Sequence, residues 1–137
     1  MSSSITGTKV AAIRKNIAMG LMLFAALAAG YAFIAAIGVA TSAGAATQQV
    51  EWWRAFGFLM FASIFVLLAI WPHRYPGLWE IVIVNKAALT LVQVLLIGNN
   101  AENALSAAVA DGILTIILIA AYILSKGYTS WSLRADK

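Results

Sequence analysis

Four long apolar stretches dominate the chain, at about residues 17–40, 55–71, 78–97 and 104–125, separated by short polar breaks. Each run is continuous, without the apolar–polar alternation of a half-buried or barrel strand, so helices are predicted throughout. The first run carries no charge over roughly 24 residues, where ~20 suffice to cross the hydrocarbon of a bilayer. It is too long for the apolar core of a signal peptide, although Ala43-Gly44-Ala45 resembles a cleavage site, and it is read as a retained helix. Ala26, Gly30, Ile34 and Gly38 recur in it at four-residue spacing, with Ala25 and Ala29 beside them. Small residues on one face let helix backbones approach closely, so this stripe is a candidate packing face.

The breaks have the chemistry of turns. Thr41 to Gln49 is small and polar. Pro72-His73-Arg74-Tyr75-Pro76-Gly77 cannot continue a helix. Asn99, Asn100 and Asn103 supply turn and N-cap groups in the second hairpin loop. The predicted organisation is a basic N-terminal segment (1–15), a four-span domain (16–126) and a polar tail (127–137). This is an all-α, up-down four-helix membrane bundle. The N-terminal residues 1–7 are expected to be mobile, and 8–15 to form a basic flank or a short interfacial helix.

Composition agrees. Hydrophobic residues make up 63% of the chain and charged residues 10%, too few to cover a soluble surface of this size. The net charge of +4 would suggest nucleic acid until its distribution is read. Lys9, Arg14, Lys15, Arg74, Lys126, Arg134 and Lys137 fall on one predicted side of the membrane and only Arg54 on the other. That bias places both termini in the cytoplasm. Trp52, Trp53, Trp71, Trp79 and Trp131 all fall at or just beyond predicted span ends, where an amphipathic ring prefers the headgroup region. The chain has no cysteine and a single histidine, which removes thiol chemistry and argues against a bis-histidine haem or a zinc site within one subunit. No cofactor is expected.

The candidate chemistry lies inside the third and fourth spans. Lys86, Thr90 and Gln93 share a face with Trp79 on the third, and Asp111, Thr115, Tyr122 and Ser125 share a face on the fourth. Counted from the outer helix ends, Lys86 lies ~16 Å deep and Asp111 ~10 Å deep, an offset of ~6 Å that an extended lysine bridges. An unpaired charge near the bilayer centre costs at least ~2.5–3.5 kcal/mol, so a Lys86–Asp111 interaction is predicted, direct or through one water. Arg54 is the rival partner for Asp111. Glu51, Arg54 and Glu102 form a candidate outer cluster, and Glu80 is expected to pair with Arg74 at the inner interface. His73 reads as a solvated loop residue, and Phe56, Phe58, Phe61 and Phe65 as packing or lipid-facing groups.

Small four-span families that require cysteines, several histidines or a glutamate in the first span are excluded by residue type. The order Glu51-Trp-Trp-Arg54-Ala-Phe-Gly57, Pro76-Gly-Leu-Trp79, Lys86 and Asp111-Gly112 resembles the DoxX-like group of small four-helix bacterial membrane proteins over residues 51–124. The resemblance implies a compact bundle in the bacterial cytoplasmic (inner) membrane with an accessory role, and brings no catalytic residues. Three functions remain open. The leading one is a non-enzymatic accessory or assembly subunit that contacts other membrane chains or its own copies. The alternative is a binder or transporter of a small or lipophilic molecule or ion, using Lys86, Gln93 and Asp111. The third is an enzyme acting on a lipid or quinone. A tunnel reaching Lys86 from either side favours the second, and a dry, closed pair with a large flat apolar contact to another chain favours the first. An enzyme needs a cavity open to lipid with an acid or base at its end.

Overall fold

The computed structural model describes residues 2–99 and 101–135; Asn100, Asp136 and Lys137 of the sequence reading lie outside them. Among the described residues four helices are long and apolar enough to cross a membrane. They are α1 (Ser2–Ser42), α2 (Gln48–Ile70), α3 (Leu78–Ile97) and α4 (Ala104–Ser125), followed by a 3-10 turn, Gly127–Ser130, and a last short helix, α5 (Ser132–Ala135). The boundaries of α3 and α4 match those predicted. Two expectations are corrected. The N-terminal segment, expected as a loose end and a basic flank, is helical from Ser2 and continuous with the first span, since no proline interrupts Ser2–Ser42. The second helix begins at Gln48, so Glu51, Trp52, Trp53 and Arg54 lie within its first two turns.

At 41 residues, α1 is ~62 Å long, about twice the hydrocarbon thickness, so with its basic start it is longer than a single crossing requires. The central windows of the four helices are only 11–28% buried within the protein. Side chains such as Leu27, Tyr31, Ile34, Ile81 and Ile116 stand on the bundle's outside. A water-soluble protein does not carry that much continuous apolar surface, and lipid is the medium that matches it.

α1 packs against α2 and α4, and α4 packs against α3, while α2 and α3 stay further apart. The inner half is filled. Met22, Phe65, Leu68, Trp79, Val82 and Leu118 interlock there with the alanines of α1. In the outer half every fully buried apolar residue is an alanine: Ala36, Ala40, Ala55, Ala104 and Ala108. Alanines let backbones meet but leave the space between four helices empty. The bundle is thus solid below and hollow above. The small-residue stripe of α1 divides in the same way, with Ala25, Ala26 and Ala29 buried and Ile34 and Gly38 on the outside.

The inner end is tied by polar contacts. Trp79 is 1% exposed, and its indole N–H donates to the Pro72 carbonyl at 2.8 Å. Gly77 starts α3 from the left-handed region (φ +87°), which only glycine enters without cost. Gly127 lies against the rings of Tyr122 and Trp79 so closely that a Cβ there would stand 2.7–2.8 Å from both. That close approach lets the chain turn back over the end of the bundle.

Candidate functional site

The hollow outer half is a cavity of about 610 Å³, walled by all four long helices. α1 contributes Ala32, Ala35, Ala36 and Val39, and α2 contributes Gly57, Phe58 and Phe61. Lys86, Leu89 and Gln93 come from α3, and Ala107 and Asp111 from α4. Arg54, Glu102 and Asn103 stand at its outer end. The volume lies within the ~300–1,000 Å³ typical of small-molecule sites.

Its deep end is the ion pair. Lys86 Nζ donates to Asp111 Oδ1 at 2.8 Å, with side chains 4% and 16% exposed. The direct partner predicted for Lys86 is therefore present. The ammonium also lies 4.1 Å from the centroid of the Phe61 ring, over its face. An aromatic face attracts a cation by its quadrupole, most strongly where water is scarce. Phe61 therefore links α2 to α3 where the two backbones are apart. Sequence reasoning treated Phe61 as packing. A usable signal existed: counted from the inner helix ends, Phe61 and Lys86 lie ~14 Å and ~12 Å deep, nearly level.

The other predicted polar residues separate. Thr90 and Thr115 turn their hydroxyls back onto the carbonyls of Lys86 and Asp111, at 2.8 and 2.7 Å. Both satisfy their own helices and neither faces the pair as a ligand. Gln93 does line the cavity. Tyr122 is not part of this site. It lies eleven residues beyond Asp111 along α4, ~16 Å towards the inner end. There its hydroxyl donates to Glu80 Oε1 at 2.7 Å, and the indole N–H of Trp131 donates to the same oxygen at 3.1 Å. This corrects the expected Glu80–Arg74 pair. The Arg74 guanidinium instead stacks over Trp71 and Tyr75, at 5.4 and 5.8 Å from the ring centroids. The turn carries Arg74 to the aromatic rim, while the returning tail brings Trp131 to Glu80.

At the outer end Arg54 pairs with Glu51 one turn earlier on α2, so it does not replace Lys86 as the partner of Asp111. Arg54 and Glu102 share the cavity mouth, whereas Glu51 holds Arg54 from outside it. His73 is also corrected. Its Nε2 lies 2.7 Å from the Ser125 carbonyl, so the ring is half-buried and docked on the end of α4.

The arrangement offers two cations and two carboxylates on the cavity wall: Arg54 and Lys86, Glu102 and Asp111. The charges cancel. Amide donors and acceptors on Gln93 and Asn103 complete the polar set, and the rest of the wall is apolar. Such a chamber suits an uncharged molecule with a hydrogen-bonding head and an apolar body. Among the described residues no group of histidines and carboxylates is arranged to hold a metal ion. No family model matches the chain, and neither does any curated protein or solved structure.

Proposed function

We propose that this protein is a multi-pass bacterial cytoplasmic-membrane protein, both termini in the cytoplasm, that binds a small uncharged amphipathic molecule in its outer half. The observation that carries the reading is the 610 Å³ cavity reaching the Lys86–Asp111 pair. A pair serving only to fix helix register would be best enclosed in apolar packing. Here the core stops at the level of the pair, and the large side chains that would fill the space are missing. The head of the ligand hydrogen-bonds at Lys86, Asp111 and Gln93, and its body lies against Phe58, Phe61 and the alanines of α1. The basic residues crowded at one end support the orientation. The accessory role implied by the DoxX-like resemblance fits such a protein, which would hold a lipophilic molecule for a partner.

Gly57 supplies the test. It lines the cavity, and a Cβ placed on it meets nothing within 4 Å. Gly57→Leu projects a bulky side chain into the cavity from a position where the Cβ meets nothing, and gains up to ~1 kcal/mol of helix propensity. Protein extracted gently from native membrane is examined by native mass spectrometry. The wild type should carry a bound small molecule and the folded Gly57→Leu variant should not. A wild type that emerges empty, or a variant that retains the same adduct, overturns the proposal.

A further inference from the structure

A second pocket, of about 350 Å³, lies at the opposite end of the bundle and is independent of the outer cavity. Three elements meet there: the start of α1 with Arg14 and Lys15, the α2–α3 turn with His73, and the end of α4 with Lys126. Among the described residues no carboxylate lines it. The carboxylate of Glu80, at the same end, already accepts from Tyr122 and Trp131. The two ion pairs formed by described residues, Glu51–Arg54 and Lys86–Asp111, are elsewhere. Three permanent positive charges therefore converge on one concavity, and no carboxylate among the described residues lines it to cancel them.

Part of this cluster has a structural duty. The Arg14 guanidinium donates to the Ile123 carbonyl at 3.3 Å, and His73 bonds the Ser125 carbonyl. These are end groups of α4, which lack partners within the helix and carry its negative dipole end. The duty leaves capacity unused. Arg14 spends one of five N–H donors on this bond. His73 bonds a carbonyl through Nε2, so that nitrogen carries the hydrogen. Lys15 and Lys126 are exposed. A basic flank that only marked the cytoplasmic side would not need to fold into a pocket, and Lys9 and Arg74 of the same flank lie outside it.

We propose that this pocket binds the phosphate of an anionic phospholipid in the inner leaflet. The chemistry is a phosphodiester held by a guanidinium and two ammonium groups at the level where α4 ends. The lipid, and not a soluble phosphate, is favoured by the surroundings. Val10 and Leu124 line the pocket, and Ile13 and Ile17 stand exposed on the same stretch of α1, offering apolar surface for acyl chains.

The test uses the full-length protein in vesicles of mixed phosphatidylcholine and phosphatidylglycerol, followed by native mass spectrometry of retained lipid. The wild type should retain phosphatidylglycerol over phosphatidylcholine by about tenfold or more, since the basic residues of the pocket attract a net anionic headgroup over a zwitterionic one. Lys15→Gln/Lys126→Gln, which leaves the Arg14 bond to α4 intact, should lose most of that preference. Lys9→Gln, a charge change on the same helix outside the pocket, should keep it. Equal retention of the two lipids by the wild type overturns the proposal. So does an equal loss in Lys9→Gln, which would mean a diffuse field. Displacement of the lipid by millimolar inorganic phosphate would assign the pocket to a soluble anion and would also overturn it.

Discussion

Separating Lys86 from Asp111 should destabilise the protein strongly, and separating both should not. At the observed 2.8 Å the pair attracts by ~6 kcal/mol at an effective dielectric of ~20. Desolvation of both groups offsets much of that attraction. Lys86→Met leaves the Asp111 carboxylate without its cation at the deep end of the cavity, and Asp111→Asn leaves an ammonium with only the Phe61 face. Breaking one side of a buried pair costs ~3–5 kcal/mol; the cavity borders the pair and admits some water, so about 3 kcal/mol is expected for each variant. The double variant Lys86→Met/Asp111→Asn leaves no uncompensated charge. It should recover most of the loss, giving a coupling of about 2–3 kcal/mol in the double-mutant cycle. The assay is equilibrium unfolding in one fixed detergent or lipid mixture, at one pH. Additive losses, with coupling near zero, would refute the reasoning. The same double variant separates structure from function. If it folds like the wild type and still carries the native adduct, the pair is structural only.

Further outcomes follow from other contacts. Phe61→Leu keeps the volume nearly constant but removes the ring under the ammonium, and should cost about 0.5–2 kcal/mol in the same unfolding assay. In the Lys86→Met background that cost should fall to the packing term alone. Gly127→Ala drives a methyl to 2.7–2.8 Å from two rings, each held by a hydrogen bond, and should cost about 1–3 kcal/mol in thermal unfolding. Glu80→Leu strands the Tyr122 hydroxyl and the Trp131 indole; a loss of about 1–3 kcal/mol is expected, with faster proteolysis after residue 126.

Much of the architecture was legible in the sequence because lipid imposes it. Continuous apolar runs give span length directly, and α3 and α4 end where proline, glycine and asparagine stop them. The depth argument also brought Lys86 to Asp111, since a charge in hydrocarbon has few alternatives. Less could be read where several partners compete. Glu80 had Arg74 nearby in sequence, and its actual donors come from 42 and 51 residues away, through a tail whose return depends on Gly127. Tyr122 shares a helical face with Asp111 but not a depth. Periodicity reports the face alone. The cavity was the least visible feature. It arises from what α1 and α2 omit, and the alanines that create it look in sequence like any close-packing stripe.

The most direct measurement of the account is thiol accessibility in this cysteine-free chain. Ala107→Cys places a thiol in the cavity wall, and Leu91→Cys places one on the outside of α3, 61% exposed on the bundle and facing lipid. A membrane-impermeant maleimide added to the outer face should label Ala107→Cys and leave Leu91→Cys unmodified, because the thiolate forms only where water reaches. Adding Gly57→Leu should protect Ala107→Cys. An unreactive Ala107→Cys, or one labelled only from the cytoplasmic side, would contradict the hollow outer half and the orientation together.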